Sequence, residues 1–184
     1  MSDEHGHSRA DARLNRGRIL EVARQAFSDS PSASLNAIAK AAAVGPGTLY
    51  RHFPTREALV LAVYHKEIED LVGLAQALAA AHPPEDAFCR WCARLEEYGR
   101  IKHGLADTLH VAITDRDYQA TYWSMTSAVS QLLKAGQETG AFRSDVDPED
   151  LLTMLGFLWR IKPGPGARAQ LSRLTKMLLR SIQS

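Results

Sequence analysis

Apolar residues along the N-terminal half recur at three- and four-residue steps. Between Arg13 and Ser30 the positions Ile19, Leu20, Ala23, Ala26 and Phe27 form one stripe on an otherwise polar segment, the signature of an amphipathic helix. The run "SDSPSAS" breaks it. Ser34 then stands where a helix N-cap belongs, ahead of Leu35, Ile38, Ala39 and Ala42 on a second, short helix. Val44-Gly45 makes a tight connection, Pro46 suits the first position of a third helix, and Pro54 closes it. Thr55 caps a fourth helix running from Arg56 to about Ala80. Beyond "AAHPPEDA" the pattern predicts helices near 85–101, 105–113, 117–138, 148–161 and 167–182. No stretch alternates apolar and polar residues with period two, so no sheet is expected. The expectation is an all-α chain of about nine helices. A disordered arm is read over 1–12, a compact helical unit over 13–58, and a larger helical unit over 59–184.

Two short helices joined by three or four residues form a helix-turn-helix, whose second helix can enter a major groove. Ile38, Ala39, Ala42, Val44, Leu49 and Phe53 can all turn inward if the pair crosses steeply over the Ile19/Phe27 stripe. Small residues at 39 and 42 allow that close crossing. What remains on the outside has another chemistry. Gly45, Pro46 and Gly47 leave the first turn of the third helix nearly bare, so its backbone can approach a partner closely. Main-chain amides at such a turn attract phosphate. Thr48, Tyr50, Arg51 and His52 add a hydroxyl, a phenol, a cation and an imidazole, and Thr55 and Arg56 add a helix start and a second cation. These groups suit a phosphodiester backbone, where most protein–DNA hydrogen bonds go. A helix made only to pack would not open with Gly-Pro-Gly, which weakens it.

Charge sharpens this only a little. The net charge is +1, but residues 1–60 carry +2, 61–159 carry −7 and 160–184 carry +6, which places anion-binding surface near the chain ends. The N-terminus lacks the apolar core of a signal peptide. With only two cysteines, a reducing cytoplasm is the expected compartment. No apolar run approaches the roughly 20 residues of a bilayer span.

The segment "RILEVARQAFSD…SLNAIAKAAAVGPGTLYRHFPTREALVLAV", Arg18 to Val63, resembles the DNA-binding domain of the tetracycline-repressor (TetR) family of bacterial regulators. Phe27, the Ile38-Ala39 pair, the Val44 turn, Thr48-Leu49-Tyr50 and His52-Phe53 all fall in register. The resemblance implies a homodimeric repressor whose C-terminal helices bind a small effector. It also implies that Thr48, Tyr50, His52 and Arg56 hold phosphates, with the start of the third helix near base edges. Three positions depart from the family pattern. Ala43 stands where glycine is usual, Gly45 where a capping serine is common, and Arg56 where lysine is usual. If residue 43 is left-handed, alanine there costs about 1–2 kcal/mol.

The later helices are less telling. Leu151, Leu152, Leu155, Leu158 and Trp159 make one apolar stripe, and Leu171, Leu174, Leu178 and Ile182 another. Two such helices from each of two subunits can build a four-helix interface, and packing within one chain is the competing reading. Trp91, Tyr98, His110, Tyr122, Trp123 and Met125 are candidate effector contacts on the middle helices, although aromatics at helical spacing serve cores more often. His103 and His110 lie on either side of Gly104, and no further metal ligands can be placed beside them. No cofactor is expected. Cys89 and Cys92 match C-x-x-C but lie within an amphipathic helix, so buried structural thiols are favoured over a redox pair. No catalytic triad, phosphate loop, paired catalytic carboxylates or zinc signature is present, which argues against an enzyme. A regulator with no effector and a thiol-sensing regulator remain as rivals to the effector-released repressor.

Overall fold

The structure is a computed structural model that describes residues 3–156, 161 and 164–184, with side chains from residue 11 onward. Among these residues nine helices follow one another: α1 (Asp3–Asp29), α2 (Leu35–Ala41), α3 (Pro46–His52), α4 (Arg56–Ala81), α5 (Pro84–Gly104), α6 (Ala106–Ala112), α7 (Asp115–Glu138), α8 (Pro148–Leu155) and α9 (Ala167–Ile182). The expected all-α architecture is present.

Two boundaries differ from expectation. α1 begins at Asp3, so helix extends across most of the segment expected to be a disordered arm. That segment contains no proline, and a helix already nucleated by the Ile19–Phe27 stripe propagates at little cost. α8 is described to Leu155, and Leu158 and Trp159 lie outside the described residues. The chain also divides elsewhere than at residue 58. One compact unit comprises the residues up to Lys66 together with Gly104–Ile113, and the other comprises Glu67–His103 and Thr114–Ser184. The first turns of α4, with buried Leu59, Val60 and Val63, therefore belong with α1–α3. So does α6, which the sequence places between two helices of the other unit.

In the first unit Ile19, Leu20, Ala23 and Phe27 of α1 are buried, as are Ile38, Ala39, Ala42, Leu49 and Phe53. Val44 is half-buried. Ser34 caps α2 by accepting from the Ala37 amide at 3.2 Å, and Thr55 caps α4 by accepting from the Ala58 amide at 3.1 Å. Gly104 packs closely: a methyl group there would meet the Pro31 ring at 2.9 Å.

The second unit is built around buried Trp91, whose indole N–H donates to the Leu71 carbonyl at 2.9 Å. Phe88 and Phe142 meet edge to face. Gly136 must be glycine, since a methyl group would fall 2.1 Å from the Phe142 ring. Arg94 reaches buried Glu67 at 2.8 Å. Thr114 and Asp117 form a capping box at the start of α7, and Asp147 caps α8. The chain end is tied down by Phe142 pairing with Gln183, through Arg143 N–H to the Ile182 carbonyl at 2.9 Å and Ser184 N–H to the Ala141 carbonyl at 3.2 Å.

Candidate nucleic-acid interface

The turn between α2 and α3 is set by three amides. Ala42 N–H donates to Ile38, Ala43 N–H to Lys40 at 3.1 Å, and Val44 N–H to Ala39 at 3.0 Å. The last two are the paired bonds of a Schellman helix end, whose terminal residue is left-handed. That residue is Ala43, with φ 51°. The chain thus carries an L side chain where the geometry favours glycine, and accepts the strain that the sequence raised.

α3 then starts at Gly45, with extended backbone and no side-chain cap, followed by Pro46. Added side chains at Gly45 or Gly47 would meet nothing within 4 Å, and neither residue has positive φ. The fold itself does not require either glycine. Gly45, Pro46 and Gly47 are exposed. One turn later Leu49 is fully buried, and Tyr50 on the other side is 44% exposed. α3 is anchored by one face and bare on the other.

The polar residues of this outer face are partly organised already. Arg51 lies back along its helix, donating from Nε to the Gly47 carbonyl at 3.1 Å and from Nη2 to Thr48 Oγ1 at 3.3 Å. Thr48 N–H is engaged with the Gly45 carbonyl at 2.9 Å. Fewer main-chain donors are therefore available here than a bare helix start suggests. His52 is half-buried, its ring 6.2 Å from that of Phe53. Ser34 and Thr55 remain exposed while their hydroxyls cap α2 and α4.

Arg56 behaves differently from the other candidates. Its guanidinium donates to the carbonyls of Pro31 and Ala33 and lies 5.0 Å from the centre of the Phe27 ring. It ties the α1–α2 loop to α4, and its cation faces the chain rather than a partner. A planar fork can bind two carbonyls and stack on an aromatic ring where an ammonium cannot. That accounts for arginine where the family pattern has lysine. A contact with no sequence signal lies close by: the Arg16 guanidinium sits 5.2 Å from the centre of the Phe53 ring, at the end of α3.

The residues expected to meet an effector differ in exposure. Trp91, Tyr98 and Met125 are buried in the second unit, Trp123 is 62% exposed, and Tyr122 donates to Glu149 at 3.1 Å. His110 is exposed on α6, in the first unit. A groove of about 410 Å³ lies between α5 and α9, lined among others by Glu96, Arg100, Arg168, Thr175 and Lys176. None of the six candidates lines it. Leu151, Leu155, Leu171, Leu178 and Ile182, expected at a dimer interface, are buried within the single chain, and Leu174 is half-buried. The exposed large apolar residues of α8 and α9 are Met154 and Met177.

Cys89 is half-buried and Cys92 buried. Burial pushes both thiols up; Asp86 adds to this at Cys89, and Cys89 itself does so at Cys92. Both thiols are protonated at neutral pH, the opposite of a reactive cysteine. Among the described residues no three His, Cys, Asp or Glu side chains cluster as a metal site would, and no helix is long and apolar enough to cross a membrane.

A short helix held by its inner face, with an exposed outer face of glycine, hydroxyl, phenol and cation, defines a helix-turn-helix DNA-binding protein. Comparison with known proteins agrees. The model for bacterial regulatory proteins of the tetR family matches residues 19–63, and that for the transcriptional regulator SbtR-like C-terminal domain matches residues 83–183. The chain belongs to the TetR family of transcriptional regulators, which are DNA-binding proteins and not enzymes. The HTH-type transcriptional regulator UidR of Escherichia coli strain K12 is 46% identical over 61 residues, covering 32% of this chain and 31% of that protein. The match to such curated relatives thus spans about a third of their length. A TetR transcriptional regulator from Streptomyces coelicolor superposes with a TM-score of 0.81 at 35% identity, covering 91% of this chain and 98% of that one. A TetR transcription regulatory protein from Mycobacterium vanbaalenii does so with a TM-score of 0.76 at 30% identity, covering 96% and 99%.

Proposed function

We propose that this regulator is a cytoplasmic homodimeric repressor that occupies an approximately palindromic operator and leaves it when its second unit binds a small organic effector. The observation that carries the DNA side is the exposed outer face of α3, where Gly45 and Gly47 are bare without being needed for packing. Tyr50, Thr48 and His52 hold phosphates beside that edge, while Pro46, Gly47 and Arg51 lie nearest the bases. With so few side chains for base contacts, part of the sequence preference comes from DNA shape. Dimerisation sets two α3 helices about 34–36 Å apart, the spacing of successive major grooves on one face of the duplex. Effector binding favours a conformation with another spacing, and by linkage DNA weakens effector binding by the same factor.

The burial of Trp91, Tyr98 and Met125 among core residues, with Trp123 and His110 exposed, favours a second reading, a regulator that holds DNA with no small-molecule effector. Footprinting on fragments flanking the neighbouring genes, followed by titration of candidate metabolites against the complex, separates the two. The repressor reading expects two protected half-sites and a compound that dissociates the complex. Protection of a single unrepeated half-site would overturn the dimeric operator. A complex indifferent to every compound that binds the free protein would leave the second reading.

A further inference from the structure

α1 is longer than its core requires. Its buried face begins at Ile19 and continues through Leu20, Ala23 and Phe27. From residue 11 to residue 18 Asn15 is half-covered and every other residue is exposed. At 1.5 Å per residue these eight positions project about 12 Å beyond the packed part of the helix. A helical segment without a buried stripe gains nothing from packing, and a stretch this short is marginal in water by itself.

Its chemistry and its attachment point the same way. The overhang carries Arg13, Arg16 and Arg18 against a single acid, Asp11, and exposes Leu14 at 71%. Arg18 is held by Asn15 Oδ1 at 2.8 Å. Arg16 lies over the ring of Phe53, the residue that caps the C-terminal end of α3. The root of the overhang is thus fastened beside the helix that meets DNA. Arg13 follows one turn further out on the same side, since residues three apart are neighbours on a helix surface. Among the described residues neither Arg13 nor Arg16 has a carboxylate partner.

We infer that the α1 overhang is a second DNA-binding element, in which Arg13 and Arg16 rest on phosphates flanking the segment covered by α3. The inference rests on α3 being the DNA-facing helix, and it extends that surface along the duplex. The occupant is DNA rather than an acidic protein because the cations adjoin α3, whose own partner is a polyanion with one charge per about 1.7 Å of axis. Phosphate contacts of this kind add affinity and orientation without adding sequence preference.

The test uses the full chain, unchanged or with Arg13→Ala, Arg16→Ala or both. Anisotropy titrations compare the operator core with the same core lengthened by about six base pairs at each end, across a range of salt; each lost phosphate contact lowers the salt slope by about 0.9. The unchanged protein is expected to bind the longer duplex about three- to tenfold more tightly. The double variant should lose that gain and flatten its slope by about 2 per subunit, with unfolding temperature and circular dichroism unaltered. Arg13→Ala alone keeps the test valid if loss of Arg16 disturbs Phe53, and it should remove about half of the effect on slope. Equal binding by all proteins to both duplexes would overturn the inference. So would an equal loss on both, which would mean that the arginines act only by positioning α3. Failure of the unchanged protein to bind either duplex would bring down the α3 reading and this one with it.

Discussion

Ala43 holds a backbone conformation, φ 51°, that costs an L residue about 1–2 kcal/mol. Glycine removes that cost but surrenders about 0.5–1 kcal/mol of chain entropy. Ala43→Gly is therefore expected to stabilise the protein by about 0.5–1 kcal/mol, visible as a rise of about 1–4 °C in unfolding temperature; a fall would show that the turn is built otherwise. Gly47 poses the converse case. A methyl group there meets nothing within 4 Å, and alanine is the better helix former by about 0.8–1 kcal/mol. Gly47→Ala should raise stability while weakening DNA binding severalfold, since the methyl stands where the duplex approaches. A stabilised variant with unaltered affinity would remove the reason given for the bare edge. The left-handed residue was signalled by the family resemblance, in which glycine is usual where this chain has Ala43. The double role of Arg56 carried no such signal. Its partners are main-chain carbonyls of Pro31 and Ala33, and a carbonyl carries no side-chain signature to read.

Apolar stripes show that a face of a helix is covered but not what covers it. On α9 the spacing of Leu171, Leu178 and Ile182 is compatible with a partner subunit and with the chain's own interior, and in the structure these residues are buried without any partner. If α8 and α9 meet a second copy, they do so through the opposite side, where Met177 is 63% and Met154 47% exposed. Met177→Glu is expected to leave the fold intact and to raise the dimer dissociation constant about tenfold or more, since burying an unpaired carboxylate costs well over the 1.4 kcal/mol that a factor of ten represents. Sedimentation equilibrium reads this directly. A variant that dimerises as well as the parent would place the interface on other helices. For the α5 motif Cys89–Cys92 the amphipathic setting favoured buried structural thiols, and in the structure Cys92 is buried and Cys89 half-buried. Two thiols one turn apart suggest redox chemistry, but the depth of the face they share decides their reactivity, and that depth raises both.

For the molecule as a whole, the helical class, the order of the elements and the helix-turn-helix were legible because each depends on local periodicity, caps and breakers. Ser34, Pro46 and Thr55 mark helix starts in the sequence and sit at them in the structure. The affiliation of α6 was not legible. It lies in sequence between α5 and α7, yet it belongs to the first unit, and only packing among distant residues decides this. Aromatic side chains mark helix faces that need filling, whether with protein or with ligand, so the pattern by itself does not single out effector contacts. The operator expected from a dimer has two like half-sites about 10–10.5 base pairs apart. Inserting about five base pairs between them should abolish tight binding by turning one half-site to the far side of the duplex. Retained affinity would show that each subunit binds alone.

The close fit of Gly104 against Pro31 has a practical corollary for protein engineering. The part that reads DNA is not one continuous stretch of polypeptide, so excising it with a single cut after Lys66, or grafting it onto a relative's body at that point, leaves behind the seam at Gly104 and the whole of α6. A transplant that respects this architecture must carry residues 104–113 along with the head.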